Sequence, residues 1–386
     1  MSTLVMVTAL AAWLASGGGA AENAGPKDMS SAPGIKPGSG DMSVEDRTAR
    51  LLAGFPDAVD ERARKARPHY APRIDRAFAR FEEKVGGPMQ AWAADALAHS
   101  PGETVFYPFA GADFPTAHRL YPQASRYVLI AMQRGGPPPD PAAHGREALA
   151  ELLAGYERLL GAFLRRGFFV TSEMNEETGS DAAIRGITGA LMVFAAREGF
   201  ELLEVLPVEL ADDGTIAPHP GDRARAATWD SVRLRLRRRA DGEPVTLEYL
   251  RVGLSNNTLK PETPELTLVS GLSDQRVILK AASHLPQDNN FTVITRLLLS
   301  RAPTIVQDET GVAYDALTGR FAVELYGSYA QVNLLFDDED QNTLIEAYRV
   351  AKTVPRLPFH VGYRKGTQAC MLVATRPPAP VPPAAP

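Results

Sequence analysis

The sequence predicts an α/β fold: one large domain in which helices flank a mixed, largely buried sheet. Two observations predict it. Apolar runs of strand length, "ETVFYPFAG", "SRYVLIAM", "RVILKAAS" and "PTIVQDETG", are separated by segments with helical periodicity. No linker divides residues 45–375, because "GGPPPDP" at 135–141 is short enough to be a surface loop.

The two ends read differently from the middle. An apolar run at 4–14, "LVMVTALAAWL", is followed by small residues, so residues 1–20 are expected to form a cleavable signal peptide. The run is shorter than the roughly 20 residues that span a bilayer, so no stable membrane anchor is expected after cleavage. Residues 21–44 are rich in Gly, Pro and Ser and are expected to be a disordered linker. Residues 376–386, "RPPAPVPPAAP", are expected to be a Pro-rich disordered tail. Arginine supplies 33 of the 41 basic residues, a bias of GC-rich bacterial genes, and the expected location is periplasmic or secreted.

Within 45–375, "ETVFYPFAG" reads as a buried strand, "DFPTAHRLY" as a short helix and "SRYVLIAM" as a second strand, together a βαβ unit. Leu149, Leu152, Leu153, Tyr156, Leu159, Leu160, Phe163 and Leu164 keep the spacing of one helical face. Arg165 and Arg166 suit its last turn and Gly167 its end. A second helix is expected over 181–197, with Gly186 and Gly189 permitting close packing. "FELLEVLPVEL" reads as a strand, followed by a hairpin turning at Asp241-Gly242. In the hairpin's first arm Val232, Leu234 and Leu236 alternate with Arg233, Arg235 and Arg237, predicting one core face and one solvated face. "RVILKAAS", "NFTVITRLLLSR" and "PTIVQDETG" continue the rhythm as strand, helix, strand. "RFAVELYG", a helix near 339–352 capped by "DDED", and a strand at "ACMLVATR" close the domain.

Charge and missing motifs exclude several functions. A formal net charge of −5 gives no global field for nucleic acid or anionic lipid. Cys370 is the only cysteine, which excludes an intramolecular disulfide and a cysteine zinc cluster, and it is expected to pack as a small hydrophobe. There is no G-x-S-x-G elbow, Walker lysine or H-E-x-x-H, and the seven histidines are scattered. No cofactor and no metal are expected.

Three places can carry a site. In "FYPFAGADF", Tyr107 ends a strand, Gly111 allows a tight turn, and Asp113 stands where a helix cap or a ligand-facing carboxylate would be. With one glycine and Pro108 this loop departs from a dinucleotide fingerprint, and Gln133 is the polar residue after the next strand. If "RVILKAAS" and "PTIVQDETG" are neighbours, Lys280, Ser283 and His284 face Gln307, Asp308 and Glu309, either as an anion site or as a structural Lys280–Asp308 pair. Tyr326, Tyr329 and Tyr363 stand beside glycines, as tyrosines that line sugar or peptide grooves do, although a tyrosine at a strand end more commonly packs its ring in the core. Glu173, Glu176, Glu177 and Asp181 lack the spacing of a calcium loop and read as a solvated turn.

These stretches, with "LYGSYA" and "FHVGYRKG", resemble a family of exported bacterial proteins without an assigned activity, marked by Y-P-F-x-G-x-D-F early and Q-D-acid-S/T-G late. The resemblance covers Tyr107, Pro108, Phe109, Gly111, Asp113 and Phe114, then Lys280, Ser283, Gln307, Asp308 and Gly311. Gln133 stands where the family pattern has an acid, and His284 where it has an aromatic residue. The resemblance implies export and a single α/β domain, and it implies no reaction. The functional expectation is binding of a small polar or envelope-derived ligand, with Tyr107, Asp113, Lys280, Gln307, Asp308 and Tyr363 as the candidate binding residues. The alternatives are a hydrolase using Asp113 or Asp308 as acid or base, and, for a chain that stays in the cell, a degenerate methyltransferase-like fold.

Overall fold

A computed structural model describes residues 42–100, 102–167, 184–331, 341–363 and 369–378. The expected signal peptide, nearly all of the linker, the loop with Glu173, Glu176, Glu177 and Asp181, and the "DDED" acids lie outside these residues. From Ser43 onward the chain is one compact α/β unit around a ten-stranded mixed sheet. Among the described residues no helix is long and apolar enough to cross a membrane.

Among the described residues, four helices precede the sheet. They are α1 (Val44–Leu52), α2 (Glu61–Ala66), α3 (Tyr70–Phe81) and α4 (Gly87–Ala96), the last two joined by a π turn. Ser43 caps α1, so the domain begins inside the segment expected to be linker. Asp46 on α1, fully buried, accepts from the Leu202 N–H at 3.0 Å and pairs with Arg239 at 2.6 Å, tying this helix to the sheet.

The βαβ unit follows as β1 (Thr104–Tyr107), α5 (Phe114–Leu120) and β2 (Arg126–Ala131). Helix α6 (Arg146–Arg166) buries all eight apolar residues of the predicted face, and Gly167 ends it at φ +79°. Helix α7 (Thr188–Arg197) starts later than the expected 181. Gly186 has φ +113°, and a Cβ there would lie 2.3 Å from the Gly135 carbonyl oxygen, so the backbone is held against a neighbouring loop rather than coiled. At Gly189 a Cβ would meet the Tyr156 hydroxyl at 1.7 Å, which is the close packing the glycine permits.

Strands β3 (Phe200–Leu210), β4 (Ile216–Pro218), β5 (Ser231–Arg238) and β6 (Pro244–Arg251) form an antiparallel wing. The alternation in β5 is as predicted, but its cationic face is not simply solvated. Arg233 lies opposite Glu248, Arg235 opposite Glu204 and Arg237 opposite Glu201, and each makes an ion pair, at 2.6, 3.2 and 2.8 Å. Cross-strand register turns the stripe into a charge ladder.

The second half holds α8 (Pro264–Leu272), β7 (Arg276–Leu279), α9 (Thr292–Arg301), β8 (Thr304–Gln307), α10 (Tyr314–Thr318), β9 (Ala322–Gly327), α11 (Gln341–Val350) and β10 (Cys370–Thr375). Arg376, expected in the tail, is tied down: its backbone N–H donates to Pro303, and its side chain donates to the Ala302 and Leu299 carbonyls.

The strand order is β4-β3-β5-β6-β2-β1-β7-β8-β10-β9, with β6-β2-β1-β7-β8 parallel and antiparallel strands on either side. From β1 the chain crosses through α5 to β2; from β7 it crosses through α9 to β8, in the opposite direction. Right-handed crossovers then put α5 and α9 on opposite faces, and α5 packs with α4 and α7 while α9 packs with α8. The carboxyl ends of β1 and β7 are therefore the topological switch point, where the two connections diverge and where open α/β sheets bind ligands.

Candidate functional site

Both strands at the switch point end sooner than their sequences predict. Phe109 has φ +61° after β1, and Ala281, Ser283 and His284 have φ of +50°, +53° and +57° after β7. An L residue in this region costs about 1–3 kcal/mol, so it persists only where its surroundings hold it. Among the described residues Glu262 is the only other non-glycine residue with positive φ. The edge-on pair of Phe109 and Phe291 rings, 5.6 Å apart, brings the two loops into contact.

Asp113 and Lys280 meet beneath these loops. Asp113 is the N-cap of α5, its Oδ1 accepting from the Thr116 N–H at 3.2 Å. Its Oδ2 lies 2.5 Å from Lys280 Nζ and accepts from the Tyr107 hydroxyl at 3.0 Å. Cap and charge partner are one residue. Lys280 Nζ also donates to Thr116 Oγ1 at 3.1 Å and to the Gly167 carbonyl, so its three protons all have acceptors. Both side chains are almost fully buried. Burial, reinforced by the Asp113 charge, raises the Tyr107 hydroxyl well above its usual range, so it remains a donor.

The expected Lys280–Asp308 pair is therefore replaced by Lys280–Asp113. Asp308 turns to backbone instead: Oδ2 accepts from the Ala281 N–H at 2.8 Å, and Oδ1 from the Thr310 N–H at 3.0 Å and the Thr310 hydroxyl at 2.5 Å. Those bonds fasten the left-handed loop after β7 to the end of β8. Gly362 passes so close that a Cβ would lie 2.3 Å from Asp308 Oδ2. Burial of the Asp308 carboxyl outweighs these donors and the Lys280 charge, and raises its pKa above the ordinary aspartate value.

Gln307 folds back on its own loop: Nε2 donates to the Val312 carbonyl at 2.7 Å and Oε1 accepts from the Val312 N–H at 3.0 Å. Both ends of the amide are engaged, so it braces the 308–311 turn rather than facing a ligand. Glu309 is buried and accepts from the Cys370 thiol at 3.4 Å. His284 is also buried, with Nδ1 3.2 Å from Gln287 Oε1.

Ser283 and Tyr363 are half-buried, their oxygens 2.7 Å apart. Tyr363 also donates to the Ala281 carbonyl at 2.9 Å. Burial pushes its hydroxyl up to about 12, so its single proton is present and goes to that carbonyl. Ser283 is consequently the donor to Tyr363. Tyr326 and Tyr329 do not join this cluster in the same way: Tyr329 is buried, and the Tyr326 ring lies edge-on to Trp92 at 5.1 Å.

No family model, no curated protein and no solved structure matches this chain. The structure brings Tyr107, Asp113 and Lys280 into direct contact and sets Asp308, Gln307 and Tyr363 around the same strand ends. Sequence reasoning missed Thr116 and Thr310, which carry Lys280 and Asp308. Thr116 stands three residues after a capping aspartate and Thr310 two after Asp308, both spacings of local side-chain-to-backbone turns.

Proposed function

We propose that the protein binds a small polar ligand at the switch point above β1 and β7, with Ser283 and Tyr363 as polar contacts. The carrying observation is the concentration of strained backbone: among the described residues, four of the five left-handed non-glycine residues stand at these two strand ends. Tyr107, Asp113, Lys280, Gln307 and Asp308 act beneath the contact surface, as the frame that maintains the strain. Export to the periplasm or medium is part of the proposal and rests on the apolar run at 4–14. Kinship with the exported family described above is likewise part of it and rests on the two motifs alone.

The test is a calorimetric and thermal-shift screen of small polar and envelope-derived molecules. A saturable shift without turnover, weakened in Ser283→Ala, supports binding; a shift that Ser283→Ala leaves unaltered moves the ligand elsewhere. Asp308→Ala is unsuitable here, because it strands the Ala281 and Thr310 donors.

A second reading is hydrolysis with Asp308 as the acid. Its support is the burial that lets this carboxyl keep its proton above the ordinary range. Turnover that survives Asp308→Asn in folded protein excludes it.

A further inference from the structure

Building on the binding reading, we propose that the ligand is an uncharged, hydroxyl-rich molecule, a saccharide, held at Ser283 against the Phe109 ring. Lys280 and Asp308, the charged groups that fasten the two strand ends, are already answered from within. Lys280 has Asp113, Thr116 and the Gly167 carbonyl, and Asp308 has three donors from Ala281 and Thr310. Neither Lys280 nor Asp308 is therefore left to meet a charged ligand among the described residues, and burying an ion without a partner is far costlier than burying a hydroxyl.

The hydrogen-bond directions at Ser283 point the same way. The proton of Tyr363 goes to the Ala281 carbonyl and that of Ser283 goes to Tyr363. Ser283 Oγ therefore presents lone pairs as a fixed acceptor. Its backbone N–H has no acceptor among the described residues, so one residue offers an acceptor and a donor side by side. A hydroxyl group both donates and accepts and satisfies the two together. Phe109, half-buried, adds an aromatic surface on which the C–H face of a sugar ring packs by dispersion. The same directions disfavour Ser283 as a nucleophile, since its proton leads through Tyr363 to a carbonyl that cannot take it up.

The experiment is titration calorimetry of the folded protein with glucose, N-acetylglucosamine and maltose, set against acetate, phosphate and methylammonium. The expected result is saturable binding of at least one sugar, no binding of the ions, and an affinity about tenfold lower in Ser283→Ala, as for the loss of one hydrogen bond. Ser283→Gly, which relaxes the left-handed φ, gives the same readout if the alanine variant folds poorly. Ser283-dependent binding of an ion without any sugar overturns the saccharide and leaves the binding reading standing. Silence from both groups of probes overturns the two together.

Discussion

Lys280 shows how far one residue can differ from its sequence context. Its neighbour in the strand register is the Gln307–Asp308 end of β8, yet its ammonium crosses to the other side and meets Asp113 at 2.5 Å. Removing the ammonium leaves a buried, uncompensated carboxylate, so Lys280→Met is expected to cost about 3–5 kcal/mol in urea unfolding. Lys280→Met with Asp113→Asn keeps the cap acceptor and removes the stranded charge, and should be less destabilised than Lys280→Met alone. Equal losses in the two proteins would mean that the Asp113 charge left behind in Lys280→Met carries no penalty. Asp308 gives a pH signature of definite sign. Its folded pKa is raised, so between the unfolded and folded values the native state holds more protons, and stability falls as pH rises through that window. Urea midpoints of wild type and Asp308→Asn, compared across the acid range, should therefore shift in the wild type's favour as pH is lowered; a constant difference would refute the raised pKa. At this scale sequence legibility was partial. The residue types and strand ends of Tyr107, Asp113, Lys280 and Asp308 could be read, but the choice of partner could not, because it is decided by which loop reaches Nζ.

Elements were legible where periodicity alone decides them and illegible where backbone geometry does. The long face of α6 and the hairpin of β5 and β6 follow directly from apolar spacing, and both are present as expected. Strands β1 and β7 end several residues before their apolar runs do, because hydrophobicity continues through "PFAG" and "AAS" while extended φ angles stop at Phe109, Ala281 and Ser283. Helices α1 to α4 are not distinguished individually by the sequence reading, although α3 carries an apolar face of Tyr70, Ile74, Phe78 and Phe81 at helical spacing. The contact between α6 and α7 provides the test at this level. Gly189→Ala pushes a methyl onto the Tyr156 hydroxyl, and the overpacking is expected to cost about 1–3 kcal/mol in thermal or urea unfolding. Tyr156→Phe should recover only part of it, because the ring carbon that bears the hydroxyl would lie 2.6 Å from the added methyl. Full tolerance of Gly189→Ala would show that the two helices can separate without penalty.

Across the whole molecule, the switch point is also a seam. On one side lie β1, β2 and the antiparallel wing, and on the other β7, β8, β10 and β9, joined by a parallel register of Val105 with Arg276 and Phe106 with Val277. So short a ladder leaves much of the joining to side chains. At the carboxyl end Tyr107 bonds the Lys280 carbonyl at 3.3 Å and Asp113 holds Lys280 Nζ. At the amino end Arg276 donates to the Ser100 carbonyl at 3.1 Å, and Ser100 Oγ donates to Thr304 at 2.9 Å. Polar cross-links at both ends of a short ladder favour opening along the seam as a cooperative unit smaller than the whole domain. Native-state hydrogen exchange on Lys280→Met tests this. Amides of β7, β8 and β10 should lose protection by more than those of β2, β5 and β6, whose ladders do not cross the seam. An equal loss on both sides would mean that the sheet opens only as a whole. A ligand spanning the Phe109 and Ser283 loops would bridge the same seam, so in its presence the protection of β7 and β8 should rise relative to β5 and β6, linking occupancy of the site to cohesion of the two halves.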